Sequence, residues 1–559
     1  MAPNLILGPL LRHVGSSDAT VWVETDASCD VEVRLEGSSH RSSTFTVEGH
    51  HYALVRITDL EPGSSHEYSV RLDGEIVWPE PGYDFPAPTI RTIEPDGNLT
   101  LAFGSCRVSV PQEPPYTLKR GKIKRGGASG HRFERDALYV LALRMRGEPR
   151  ESWPDALLLL GDQIYADEIS RGTRDFIRSR RDTNEPPGEE VADFEEYTRL
   201  YWDAWKDPAI RWLLSTVPSA MIFDDHDVHD DWNTSGTWVR QMRSKPWWEE
   251  RIVGAFMSYW VYQHLGNLSP QELEEDELFA QVQEAKDATR VLREFAYRAD
   301  REVAGTRWSY HRDFGNVRLI MMDSRAGRVL PEDHRSMLDA EEWAWIEDKA
   351  TGDFDHLLLG TSLPVFLMTG LHYLEAWNEA VCQGVWGRQA AKVGELVRQV
   401  LDLEHWAAFQ NSFGHLVKLL RSVASGERSD EPPPASITLL SGDVHHGYLA
   451  EMDFGDGVQS SVYQAVSSPL RNPLGLPERA GFSTAWTKPG ELVGKTLARL
   501  AGVEEPRIGW RLTHEKPWFD NHVSILEFRG REATLRVEKT IPEDAGEPRL
   551  YPLLEHRLA

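Results

Sequence analysis

The sequence predicts a small all-β domain followed by a large domain in which strands and helices alternate in layers. Two observations carry this prediction. The residue rhythm changes near residue 96, and six short apolar runs beyond it each end in a polar cluster.

Before the change, segments 20–25, 31–35, 51–57 and 66–72 are short, rich in β-branched residues and partly alternating, with turn residues between them. Asp73-Gly74 marks a two-residue hairpin. The run Leu60-Glu61-Pro62-Gly63, followed by Tyr68 and Val70, resembles the loop-to-strand corner of fibronectin type III domains. There a tyrosine hydroxyl caps nearby backbone. A proline-rich stretch from Trp78 to Pro88 reads as a linker.

After it, strand-like runs fall at 99–103, 156–160, 221–223, 317–322, 356–359 and 437–440. Helical spacing appears in Phe133, Leu138, Leu141 and Met145, and again in Phe194, Tyr197, Tyr201 and Trp205. Two helical, tryptophan-rich inserts are expected at about 170–300 and 370–430. The tail, 523–528 and 533–537, reads as a hairpin over Gly530. The glycine-rich stretch 120–130 reads as a surface loop.

Ligands in open α/β sheets bind beyond the carboxyl ends of the strands. Ser105-Cys106-Arg107 follows the first run, and the Gly161-Asp162-Gln163-Ile164-Tyr165 cluster follows the second. Asp224-Asp225-His226-Asp227, with Asp230, Asp231 and Asn233 beyond it, follows the third. Asp323-Ser324-Arg325, Gly360-Thr361-Ser362 and Gly442-Asp443-Val444-His445-His446 close the other three. Carboxylates suit hard cations, while imidazole, phenolate and thiolate draw iron or zinc. The mixture points to two unlike metals sharing a bridging carboxylate, best placed at Asp162. Such a pair activates water and clamps the oxygens of a displacement at phosphorus.

The motifs GDQIY, DDHD, DSR and SGDVHHG, in this order, are similar to those of the alkaline phosphatase D (PhoD-like) family of metallophosphoesterases. The resemblance implies a four-layer α/β/β/α sandwich over residues 97–559, behind a fibronectin- or immunoglobulin-like domain over 1–96. It implies phosphate-ester hydrolysis, of monoesters, diesters or both, by a metal-bound hydroxide. It places ferric iron on Cys106, Asp162, Tyr165 and His445. A second metal, calcium in the family and otherwise manganese, magnesium or zinc, would share Asp162 and take Asp443. One carboxylate among Asp224, Asp225 and Asp227 is also expected to touch metal, with Asp225 as the candidate and the others as helix caps. The family's asparagine, eight positions into that stretch, is replaced by Asp231, with Asn233 two residues on. His226 is assigned as general acid, and Arg107 and Arg325 as forks for phosphate oxygens.

Composition sets limits. A formal charge of −27, from 88 acids and 61 bases, argues against duplex nucleic acid as a partner. An anionic ester needs a local positive centre in such a chain, which bound metals supply. Three scattered cysteines form no disulfide framework, and no apolar run reaches the ~18 residues of a membrane span. The start lacks a basic and apolar leader. The expectation is a cytoplasmic protein whose partner is a small phosphate ester, with no membrane. Two rival readings are a catalytically degenerate metal or phosphate binder and a non-haem iron oxygenase. The intact set Asp162, Tyr165, Asp443 and His445 speaks against the first. The tyrosine and the surplus of carboxylates speak against the second.

Overall fold

The structure is a computed structural model describing residues 2–122, 131–302, 304–429, 431–475, 479 and 486–559. Most of the glycine-rich stretch 120–130 lies outside the described residues.

In the all-β region, Leu5–Val14, Ala19–Thr25, His50–Ile57 and Phe45–Val47 form one antiparallel sheet. Ser38–Ser43, Asp30–Leu35, Ser65–Leu72 and Glu75–Trp78 form another, which Thr89–Arg91 extends. Val21, Val23, Val31, Val33, Val55 and Val70 fill the core between them. Asp73 and Gly74 both have positive φ, 47° and 92°, as a primed hairpin turn requires. The first sheet also buries its other face. Leu10, Trp22, Tyr52 and Leu54 join the main core with Trp260 and Tyr262, so Ala19–Thr25 is buried at every position.

The tyrosine corner departs from expectation. Tyr68 donates its hydroxyl to the carbonyl of Ser215 at 2.6 Å, far away in the chain. Ser215 lies in the last turn of helix Pro208–Thr216, where carbonyls lack helical partners, so the tyrosine meets an acceptor that would otherwise be orphaned. Arg12 works the same way. Fully buried, it donates to the carbonyls of Tyr262 and Gln263 at 2.6 and 2.7 Å, at the end of helix Trp248–Tyr262.

His50 sits in the same seam, with Nδ1 2.9 Å from Glu24 and Nε2 2.8 Å from Glu195. Burial opposes its charge, but the hydrogen bonds to Glu195 and Glu24 outweigh it and raise His50 to about 9. A folded-state pKa above the unfolded value of about 6.5 stabilises the fold fully below that value. The stabilisation, on the order of 3 kcal/mol, is lost as pH rises from about 6.5 to 9. Unfolding midpoints measured across this window are expected to fall in the wild type and to flatten in His50→Gln. Parallel profiles for the two proteins would refute the assignment.

Two larger sheets follow. One runs Ser219–Ile222, Ala156–Leu160, Leu99–Gly104, His522–Arg529, Glu532–Lys539, Tyr551–Arg557, with its first three strands parallel. The other runs Tyr310–Phe314, Val317–Met322, His356–Thr361, Ser436–Ser441, Ser461–Val466, Tyr448–Asp453, Gly509–Leu512, with four parallel strands from Val317–Met322 to Ser461–Val466. Side chains alternate between two cores, as strand geometry dictates. Leu319, Met321, Leu358 and Leu440 share a core with Leu101 and Leu157 of the first sheet. Ile320, Met322, Leu357, Leu359 and Leu439 pack instead with Trp343, Phe413 and Leu416 from helices.

All six runs read as strands are strands. Ser461–Val466 is missing from the sequence reading although it lies inside the second sheet, because Gln464 breaks its apolar character. The structure satisfies that amide: Gln464 accepts from the backbone of Val365 and Phe366 and donates to the Phe366 carbonyl. The tail is a hairpin with a third strand, Tyr551–Arg557, added at its edge. No helix among the described residues is long and apolar enough to cross a membrane.

Candidate metal centre

Five strand ends converge. Cys106, Asp162, the Asp224-Asp225-His226 stretch, Arg325 and the Asp443–His445 stretch follow Leu99–Gly104, Ala156–Leu160, Ser219–Ile222, Val317–Met322 and Ser436–Ser441. The loops pack so closely that a Cβ on Gly442 would lie 2.0 Å from Ser105 Oγ, and one on Gly161 2.7 Å from Asp224 Cβ. Five residues expected to hold metal adopt positive φ: Cys106 at 55°, Asp162 at 50°, Asp231 at 62°, Asp443 at 63° and His445 at 49°. Left-handed backbone costs a non-glycine residue about 1–3 kcal/mol, and such strain gathers at functional sites.

Among the described residues three sets of donor atoms, each within 4.8 Å, form a chain: Cys106, Asp162 and His445; Asp162, Asp225 and His226; Asp224, Asp225 and Asp443. Asp162 belongs to the first two. The Tyr165 hydroxyl donates to Asp162 Oδ2 at 3.1 Å and accepts from Asn472 Nδ2 at 3.2 Å, which joins it to the first set. Cys106, Asp162, Tyr165 and Asp224 are buried, whereas His226, Asp443 and His445 are half-buried and mark the open side.

The electrostatics are those of a cluster short of positive charge. Burial, reinforced by neighbouring carboxylates, pushes Asp162 and Asp224 well above the usual carboxylate range. It raises the Cys106 thiol and Tyr165 phenol too, with Asp162 adding to both. Asp162 Oδ1 and Asp224 Oδ2 are buried and make no hydrogen bond. Anionic oxygens without partners are costly in an interior, and a cation is the natural partner for both. The donors therefore fit metal.

His226 Nδ1 lies 2.9 Å from Asp167 Oδ1, and its ring centroid 4.7 Å from that of Tyr165. Burial works against its charge, but Asp167 prevails and raises His226 well above the ordinary histidine value. Beside Asp167 opens a cleft of about 410 Å³ with apolar walls at Val108, Val110 and Phe133. A larger one, about 680 Å³, lies beyond Arg107 and contains none of the cluster's carboxylates.

Three expected residues are placed differently. Arg107 donates to Asp136 Oδ2 at 2.8 Å and to the Ala204 carbonyl at 2.7 Å, so its fork is occupied away from the donor sets. Arg325 is fully buried and ringed by carboxylates: Asp224, Asp225 at 3.2 Å, Glu404 at 2.5 Å and Asp443 at 3.3 Å. It balances charge inside the cluster instead of reaching toward a ligand. Asp231 lies outside the three donor sets, with its backbone N–H on Asp225 Oδ2 at 3.0 Å. Burial, with Glu404 and Asp402 adding, raises Asp231 to about 9. Asn233 donates its amide to the Arg325 carbonyl.

The sequence reading missed a second layer drawn from the 370–430 insert. His405 Nε2 is 3.2 Å from Asp443 Oδ2, and its Nδ1 is 2.8 Å from Glu375 on helix Thr369–Cys382. Glu404 pairs with Arg325 and Arg328. The only trace in the sequence is a charged pair inside the run Leu401-Asp402-Leu403-Glu404-His405-Trp406. Partners that orient ligands are worth about 10–100-fold in metal affinity. His405→Ala is expected to lose that much in chelator competition, and an unchanged affinity would remove His405 from the site.

Comparison with known proteins comes from three directions. No curated protein matches the chain. Among solved structures it is similar to PhoD, with a TM-score of 0.59 and 12% identity over 99% of this chain and 92% of that one, which shows a shared fold. It is also similar to a purple acid phosphatase, PPD1, from yellow lupin (Lupinus luteus) seeds, with a TM-score of 0.47 and 11% identity over 99% and 73% of the two chains. Residues 2–90 match a family described as Domain of unknown function (DUF7800). Residues 127–479, more than half of the chain and including most of the converging loops, match the family described as PhoD-like phosphatase, and the chain belongs to that family.

Proposed function

We propose that the chain hydrolyses phosphate esters at a centre of two metal ions bridged by Asp162. The observation that carries this reading is Asp162 itself, shared by two donor sets, buried, and with Oδ1 unbonded. Cys106, Tyr165 and His445 would complete a site whose thiolate, phenolate and imidazole suit ferric iron. Asp225 and Asp443, with Asp224 beside them, would form an oxygen-rich site suited to calcium, manganese or magnesium, with zinc as a further candidate. Asp231, whose backbone N–H reaches Asp225, or Asn233, whose amide nitrogen donates to the Arg325 carbonyl and leaves Oδ1 to face a cation, would contribute a further oxygen. Bound there, two such cations would supply positive charge for the phosphoryl oxygens and lower the pKa of an attacking water.

The residues around them would do the rest. Asp167 fixes the His226 ring through Nδ1, which leaves Nε2 to hold a proton for the departing ester oxygen. The cleft beside Asp167 would receive the leaving group against Val108, Val110 and Phe133. Residues 1–96 and 97–559 are proposed as the two domains. The proposed setting is cytoplasmic, with a metabolite, nucleotide or lipid-derived ester as substrate; three cysteines that form no disulfide support it.

His226→Ala tests the acid assignment. An alkyl phosphate ester is expected to lose about 10²–10⁴-fold in kcat/KM, and a nitrophenyl ester, whose leaving group needs no proton, far less. Equal losses on both would withdraw the acid role. No hydrolysis of either by the metal-loaded wild type would leave the degenerate binder as the better reading.

A further inference from the structure

Helix Arg388–Val400 and helix Lys488–Leu500 flank helix Thr369–Cys382, and both present their apolar side chains to solvent. Their buried positions include Gly394 in the first and Gly494 and Ala498 in the second. A Cβ on Gly394 would meet Val381 at 3.0 Å, and one on Gly494 the Gly370 carbonyl at 2.6 Å, so both helices press onto the middle one through glycine. The large side chains point outward. Val393, Leu396 and Val400 recur at i, i+3 and i+7, and with Leu492, Val493 and Leu500 they are 61–67% exposed. Trp386 donates its indole N–H to the Leu500 carbonyl at 3.3 Å, which ties the start of one helix to the end of the other. Among the described residues twelve large apolar side chains are exposed, and nine of them lie on these helices and their flanks. A surface helix ordinarily turns such a stripe inward, and a contiguous exposed patch marks an interaction site.

Charge selects the occupant. The two helices carry six basic residues, Arg388, Lys392, Arg398, Lys488, Lys495 and Arg499, against Glu395 and Glu491, in a chain of net charge −27. Arg398 is buried with Glu332 and Glu395, Lys495 pairs with Glu491, and Arg499 pairs with Glu505. Arg388, Lys392 and Lys488 stand exposed around the apolar stripe. A second copy would set like charge against like. An aliphatic stripe rimmed by Lys and Arg instead matches helices that lie in an anionic lipid interface. At physiological salt, screening over about 8 Å separates this local charge from the acidic remainder of the protein.

We propose that this face docks the protein on an anionic lipid surface without crossing it. The sequence-based expectation of no membrane rested on the lack of a spanning segment, which does not bear on a face lying along a bilayer. The middle helix also carries Glu375, the partner of His405, so the docking layer is one helix away from the donor cluster. The inference does not depend on the reaction proposed above.

Co-sedimentation of the full chain with phosphatidylcholine vesicles, with and without phosphatidylglycerol, tests it. Binding to the phosphatidylglycerol vesicles is expected, at least about tenfold weaker for Leu396→Glu/Leu492→Glu and weakened, with loss of salt sensitivity, for Lys392→Glu/Lys488→Glu. Circular dichroism melts matching the wild type would show that these surface variants fold. Binding to neither vesicle overturns the proposal, and so does equal binding to both. A vesicle-free dimer, seen by light scattering and dissolved by Leu396→Glu/Leu492→Glu, would assign the face to a second copy and equally overturn it.

Discussion

Asp162→Asn is expected to remove both metals together and to cut hydrolysis about 10³-fold or more, a loss of about 4 kcal/mol in transition-state stabilisation. The expectation follows from position. Asp162 contributes to two donor sets, and its Oδ2 also receives the Tyr165 hydroxyl. An amide keeps the size but offers one weak acceptor where the cluster needs an anion able to serve two cations. Its left-handed backbone, φ 50°, is tolerated by asparagine, so the variant is expected to fold. Metal analysis separates the alternatives. Loss of one metal with retention of the other would show that the carboxylate is terminal and that the two sites are independent.

Arg325→Met carries the largest expected effect on stability. The guanidinium is fully buried among Asp224, Asp225, Asp443 and Glu404, and its removal leaves four carboxylates facing one another with no cation between them. Removing one partner from a buried ionic network costs about 3–5 kcal/mol, because the remaining charges are left uncompensated. Urea unfolding of metal-free protein would measure it. The loss should shrink when divalent cation is restored, since metal and arginine neutralise the same carboxylates. A loss below about 1 kcal/mol, the scale of a surface pair, would contradict this view of the cluster.

What the sequence revealed follows from where its information is local. Strands such as Ala156–Leu160, and Val317–Met322 beyond Arg318, are buried on both faces, so their apolar runs announce them. The polar residues just after them identify donor atoms because chain order and strand direction bring those ends together. Ser461–Val466 was hidden because its inner residue Gln464 is polar and is satisfied only by backbone from Val365 and Phe366. The same limit explains the arginines. Residue type marks Arg107 and Arg325 as anion binders, but which anion they meet is decided by distant residues: Asp136 for one, and Asp224 and Glu404 for the other. Glu375 and His405 were illegible for this reason as well. They sit in an insert, and the packing of helix Thr369–Cys382 against the turn Trp406–Ala408, next to His405, brings them together beside Asp443.

The most direct test of the two-metal account is metal content, together with the visible spectrum, of protein purified without chelator. About two metals per chain are expected, one of them iron, with a tyrosinate-to-iron charge-transfer band that disappears in Tyr165→Phe. Protein that binds a single metal or none, and stays so after metals are added back, would contradict it.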